Sequence, residues 1–226
     1  MKTFAMKRLA LSLSAALLLS GGLTACVPLV IGGAAAAGGT LVVTDRRTSG
    51  AQLEDEGIEL RGGSRIRSAI GDRGRINIVS YNRQVLLTGD VPTAQDKQTA
   101  EQILSRVENV TSVVNELSVG FNASLSQRSS DTLLTGRVKS MLIDAPDLFA
   151  NSFKVVTERG TVYLMGRVTQ READRATNVV RSTPGVAKVV RVLEVISEEE
   201  LSRQSQAVRP RQPAPAQQPA QQPANQ

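Results

Sequence analysis

Asn82-Arg83-Gln84-Val85-Leu86-Leu87-Thr88-Gly89-Asp90-Val91 is matched 77 residues later by Arg159-Gly160-Thr161-Val162-Tyr163-Leu164-Met165-Gly166-Arg167-Val168. Both stretches read as a turn followed by a strand with glycine near its end. Upstream, Arg65-Ile66-Arg67-Ser68-Ala69-Ile70 aligns with Arg137-Val138-Lys139-Ser140-Met141-Leu142 at an offset of 72. Downstream, Val110, Val113 and Val114 align with Val186, Val189 and Val190 at 76. One chain therefore carries one structural unit twice, with length differences placed in loops. On this alignment the second copy has five extra residues after its first helix.

Each copy predicts the order αββαβ. Helices are expected over 61–71 and 131–143, with Leu134, Val138, Met141 and Leu142 on one buried stripe. Ile76-Asn77-Ile78 and Phe153-Lys154-Val155 alternate as strands, and a turn leads to Val85–Leu87 or Val162–Leu164. Thr93 with Asp96, and Thr169 with Glu172, have the spacing of a capping box at the next helix. Those helices end near Asn109 and near Pro184-Gly185, where Asn and Gly suit a left-handed residue. A Val-rich strand closes each copy. Gly89 and Gly166 lie inside strands, where glycine marks a bulge or a close helix-to-strand approach; both are assigned a structural role. The fold class expected is α/β (α+β), two helices on a three-stranded mixed sheet, in tandem.

The domain limits follow. Residues 1–25 are a leader, 26–57 a Gly/Ala-rich linker, 58–119 the first repeat, 120–130 a linker, 131–197 the second repeat and 198–226 a disordered Gln/Pro/Ala-rich tail. Repeats of 62 and 67 residues have small cores, so packing of one on the other is expected to help both.

The leader is read from Lys2, Lys7 and Arg8 followed by the apolar run Leu9–Ser20 and Gly21-Gly22. Leu23-Thr24-Ala25-Cys26 then resembles a bacterial lipobox. That resemblance implies acylation of Cys26, cleavage before it, and, with Val27 rather than Asp next in line, sorting to the outer membrane. Buried acyl methylenes contribute about 0.8 kcal/mol each, so a three-chain anchor holds without a transmembrane helix.

Composition narrows the function. With 27 basic and 21 acidic residues the net charge is +6, and loss of residues 1–25 brings it to +3. Aromatics make up only 3% and Trp is absent, which argues against a stacking platform for single-stranded nucleic acid, and no nucleic-acid partner is expected. The chain has no His and one Cys, which removes His-dependent nucleophile triads and most zinc sites. Asp72, Asp90 and Glu158 read as scattered exposed carboxylates rather than a paired acid and base. No enzyme activity, catalytic residue, metal or cofactor is expected.

The helix–hairpin–helix–strand order and the Val-x-Leu-x-Gly-x-Val strand at Val85–Val91 and Val162–Val168 resemble the BON domain. Together with the lipobox and the apolar linker, the pair is similar to dual-BON outer-membrane lipoproteins over roughly residues 20–197. The resemblance implies an anchored, periplasm-facing protein that binds anionic phospholipid and maintains envelope integrity. Other outer-membrane or cell-division envelope proteins are further candidate partners, and a scaffold acting through protein contacts is the alternative reading.

The family places lipid contact on the first helix of the second repeat. There Leu133 lies off the buried stripe, beside Arg137, Ser140 and Asp144. It either dips into the acyl boundary while Arg137 meets a phosphate and Lys139 reaches headgroups, or it caps the core above merely solvated charges. Leu148 and Phe149, just past the helix end, either insert or cover the core and the sheet edge. The candidate lipid contacts are therefore Leu133, Arg137, Lys139, Ser140, Leu148 and Phe149. The first repeat lacks a counterpart to Leu133, because Arg61 falls there, and Gly62-Gly63 is expected to weaken its first turn.

Overall fold

Each repeat opens on a long helix that starts well before the apolar stripe begins. The computed structural model describes residues 45–207. The leader, Cys26, the linker up to residue 44 and the chain from 208 onward lie outside the described residues. The first repeat comprises helix α1 (Ser49–Ile70), strands β1 (Arg75–Tyr81) and β2 (Gln84–Val91), helix α2 (Ala94–Ser105) and strands β3 (Ser112–Asn115) and β4 (Ser118–Val119). The second comprises α3 (Leu125–Ile143), β5 (Phe153–Glu158), β6 (Thr161–Thr169), α4 (Gln170–Arg181) and β7 (Lys188–Ile196). A last helix, α5 (Glu198–Ala207), follows.

Three expectations need correction here. Helix α1 begins at Ser49, not 61, so residues 49–57 are helix rather than linker. Helix α3 begins at Leu125, not 131, with the Ser124 hydroxyl accepting the Gln127 N–H. Residues 198–207 are helical, begun by Ser197 and pinned by Arg167 on Glu200, so the disordered tail cannot start at 198. The physical reason is shared: polar helical turns carry no apolar period, and capping side chains with ion pairs hold them instead.

The two long helices also fix the internal register. Their caps, Thr48 and Ser124, are 76 residues apart. The buried positions Asp55, Ile58, Gly62 and Ile66 match Asp131, Leu134, Val138 and Leu142 at the same offset. The offset of 72 was one helical turn out. A four-residue slip keeps every side chain on its face, so apolar periodicity cannot detect it. The connector after α3, residues 144–152, is five residues longer than the one after α1, residues 71–74, and the shorter helix, 19 residues against 22, partly offsets it. Gly62 then sits mid-helix, where a Cβ would meet Leu104 at 2.8 Å, so it lets α1 and α2 cross closely rather than weakening a first turn.

In each sheet the hairpin is antiparallel and the last strand joins the middle one in parallel, in the orders β1-β2-β3 and β5-β6-β7. The first sheet's closing strand breaks at Glu116-Leu117, where Leu117 turns into the core, and resumes as β4 beside β2. Both hairpin turns need two left-handed residues, Asn82-Arg83 and Arg159-Gly160. Gly89 pairs with Ile76 and Gly166 with Phe153. A Cβ would lie 2.0 Å from the Arg75 carbonyl oxygen at the first and 2.5 Å from that of Ser152 at the second. The close approach is strand to strand.

Helices cover one face of each sheet, and the other faces meet. Val85, Leu87 and Val91 pack under α1 and α2, while Val162, Leu164 and Val168 pack under α3 and α4. The alternate residues Val79, Tyr81, Leu86, Tyr163, Met165 and Val192 form a third core between the sheets. The middle strands are thus buried on both faces, which is why they read as nearly continuous apolar runs. Burying such a side chain contributes roughly 1.5–3 kcal/mol, a large addition for repeats of this size.

Candidate functional site

The outward side of α3 is where apolar surface remains uncovered. Leu134, Val138 and Leu142 face the core, and Asp131 is buried with them. Opposite, Leu125, Leu133 and Ile143 are 74%, 71% and 69% exposed. Phe121 precedes the helix and Phe149 follows it, both largely exposed. Of the ten large apolar side chains exposed among the described residues, seven fall between Val119 and Phe149. Single exposed apolar residues are ordinary, but four on α3 with three more in the segments flanking it are not.

The candidate lipid contacts divide. Leu133 and Ser140 face solvent. Arg137 is exposed and donates to the Pro184 carbonyl at 2.6 Å, which ties α3 to the turn after α4. That bond takes part of the guanidinium expected to face a phosphate. Lys139 lies on the opposite flank and is exposed. Phe149 stands under Arg46, whose guanidinium carbon is 6.0 Å from the ring centroid. Leu148 is a correction. At 8% exposure it packs with Ala145 and Phe153 in the core of the second repeat, because the loop after α3 folds back under the sheet. Met141 is the converse correction, at 37% exposure a flank residue rather than part of the buried stripe. Leu125 and Ile143 were missed. The Ser124-x-x-Gln127 spacing was the available signal for Leu125.

The segment before α1 crosses to the second repeat. Arg46 holds Glu172 through two bonds of 2.6 and 2.7 Å and also donates to the Arg167 carbonyl. Glu172 is itself the capping-box partner of Thr169. Burial disfavours its charge, but Arg46 and the Thr169 N–H outweigh this and hold its pKa below the ordinary value. At the equivalent cap Asp96 accepts the Thr93 hydroxyl at 2.7 Å instead, its side chain being shorter. Arg47 pairs with Asp45 and Asp55 and lies over the Tyr81 ring at 4.2 Å. Burial pushes the Tyr81 phenol up to about 12.

Asp90 and Glu158, expected as scattered exposed carboxylates, are both buried between the repeats and share Arg75. Asp90 also accepts Arg159 at 2.7 Å and the Ala123 N–H at 2.9 Å. Burial again opposes the charge, and these donors keep its pKa low. Lys154 bridges to Glu59, and Asn82 to Glu194, across the same seam. These carboxylates hold the halves together.

A cleft of about 540 Å³ opens beside this seam, lined by Asp45, Arg47 and Tyr81 on one side and by Lys139, Ile143 and Lys154 on the other. No group of three or more metal-capable side chains occurs among the described residues, and no helix there is long and apolar enough to cross a membrane.

Two segments, 63–120 and 130–197, match the BON domain. The chain belongs to the BON-domain family. It is 40% identical to the outer membrane lipoprotein DolP of Haemophilus influenzae, over 84% of this chain and 97% of that one. It is 34% identical to a 21 kDa hemolysin of Actinobacillus pleuropneumoniae, over 67% of this chain and 79% of that protein. It is 30% identical to the osmotically-inducible protein Y of Escherichia coli, over 50% and 58%. The tandem BON architecture accounts for the doubled sequence, and both BON matches begin inside the long helices α1 and α3.

Proposed function

We propose that this protein is an outer-membrane lipoprotein, acylated at Cys26 and facing the periplasm, whose second BON domain binds anionic phospholipid and so supports envelope integrity. The observation that carries the reading is the uncovered apolar row Leu125, Leu133 and Ile143 along α3, with Phe121 and Phe149 at its ends. Flanking cations at Arg128, Arg137 and Lys139 give such a row the character of an interfacial helix. Its likeness to DolP, named as an outer membrane lipoprotein, supports the location. An anchored module needs little further affinity, because the tether supplies a high local lipid concentration.

The test uses the full chain in nanodiscs. Replacing phosphatidylcholine by a mixture with phosphatidylglycerol is expected to shift amide resonances over residues 121–149, and Leu133→Glu to remove the shifts. Unchanged resonances in that stretch would sink the reading.

One observation favours the scaffold reading. Leu53 and Leu60, seven residues apart on α1, are both exposed and face the same way. Crosslinking from these two positions in intact membranes tests it, with capture of an envelope protein as the expected result under that reading. Capture of none would leave the pair without a protein partner.

A further inference from the structure

Three cations from three elements face the cleft between the repeats. Arg47 comes from the segment before α1, Lys139 from α3 and Lys154 from β5. Two of them are already occupied. Arg47 is held by Asp45 and Asp55, each at 2.8 Å. Lys154 is shared between Glu59 at 3.1 Å and the Ser80 carbonyl at 3.3 Å. Lys139 makes no ion pair among the described residues.

The volume, about 540 Å³, suits a small polar group rather than a chain. Its rim continues the apolar row, because Ile143 lines the cleft and is 69% exposed. Arg137, on the other flank of α3, is bound to Pro184 and points away from this arrangement. A group with a phosphate inside the cleft and apolar chains leaving past Ile143 satisfies both features at once.

We propose that the cleft is a subsite for the phosphate of an anionic glycerophosphate group, with Lys139 as the first contact and Lys154 joining it by exchanging Glu59 for the phosphate. The phosphate's charge replaces the carboxylate's, so Lys154 stays paired throughout. Arg47 remains on Asp55 and acts as a wall. This deepens the proposed membrane reading and rests on it for the source of the group, since a free phosphate ester has the same chemistry.

The experiment separates the two sources. The full chain in phosphatidylcholine nanodiscs is titrated with glycerol 1-phosphate, and separately placed in discs containing phosphatidylglycerol. Both should shift the amides of Lys139, Asn151 and Lys154. The double variant Lys139→Gln, Lys154→Gln, with Lys139→Met as a single-site check, should weaken both by about fivefold per lysine. An unchanged melting temperature shows that the variants fold. Phosphatidylglycerol shifts on α3 that survive the double variant, with no response to glycerol 1-phosphate, would overturn the subsite and leave the membrane reading standing. A response to glycerol 1-phosphate alone would keep the subsite and remove the membrane reading. Silence in both would end both.

Discussion

Asp55 and Asp131, 76 residues apart, do the same work in their two repeats. Asp55 accepts the N–H groups of Asn82 and Arg83 at 2.8 Å, and Asp131 accepts those of Arg159 and Gly160 at 2.9 Å. Each buried carboxylate clamps a hairpin turn whose two residues are left-handed, so the helix holds the strained turn in place. Asp131→Ala is expected to cost about 2 kcal/mol, since it leaves two part-buried N–H donors without their acceptor. Asp131→Asn keeps one acceptor and should cost about half as much. Denaturant melts of the two variants check the order.

That clamp also marks the limit of what the sequence could disclose. The repeat, the hairpins, the caps at Asn109 and Gly185 and the outward position of Leu133 are local or periodic features, and the sequence carries them openly. The register of the first helices is neither, because a slip of one turn preserves the face. The partners of Asp55 and Asp131 confirm it, and those lie 27 to 29 residues away. The burial of Leu148 and the cleft were illegible for a related reason. Both depend on how a loop or a second sheet folds back, which no period encodes.

Stability should fall on the acid side. Burial disfavours the charged forms of Asp55, Asp90 and Glu172, but hydrogen bonds and arginines outweigh it: Ser80 and Arg83 at Asp55, Ala123 and Arg159 at Asp90, Arg46 at Glu172. All three therefore have folded pKa values below the unfolded ones. Their contribution is present above about pH 4–5 and is lost as the pH falls through the lowered values. Melting temperature should be flat from pH 7 to about 5 and drop below about 4. Arg46→Ala leaves the buried Glu172 without its cation, costing about 3 kcal/mol, and should move the acid transition to higher pH. A melt series in pH with both proteins reads this, and an Arg46→Ala transition at the wild-type pH contradicts it.

Asp90→Ala should uncouple the repeats. It leaves the Arg159 guanidinium with only the Phe121 carbonyl, Arg75 with only Glu158, and the Ala123 N–H without its acceptor. The cost expected is about 3–5 kcal/mol. Because Arg159 and the Ala123 N–H reach Asp90 from beyond its own repeat, hydrogen exchange should accelerate in β1 and β6 before it does in α1 or α4. Uniform acceleration through both repeats would refute the assignment.

Glycine is obligatory at two strand positions. At Gly89 both a φ of 111° and a Cβ 2.0 Å from the Arg75 oxygen exclude a side chain; at Gly166 the oxygen of Ser152 at 2.5 Å does so alone. Gly89→Ala is expected to cost about 3 kcal/mol or more, and Gly166→Ala somewhat less. Gly166→Val should unfold the second repeat. Circular dichroism showing a native melt for Gly166→Val would refute the backbone argument.

Leu133 and Leu148 are fifteen residues apart, the first exposed and the second in the core of the second repeat, and their variants should behave oppositely. Leu133 is 71% exposed and touches no core, so Leu133→Glu should leave stability within about 0.5 kcal/mol while removing phosphatidylglycerol binding. Ile143→Glu, also on the uncovered row, should act in the same way. Leu148 packs against Ala145 and Phe153, so Leu148→Ala opens a cavity and should cost about 2–5 kcal/mol. Below its melting temperature that variant should still bind vesicles, because the row along α3 is untouched. Loss of binding by folded Leu148→Ala, with Leu133→Glu still bound, would move the contact off α3 and onto the loop that follows it.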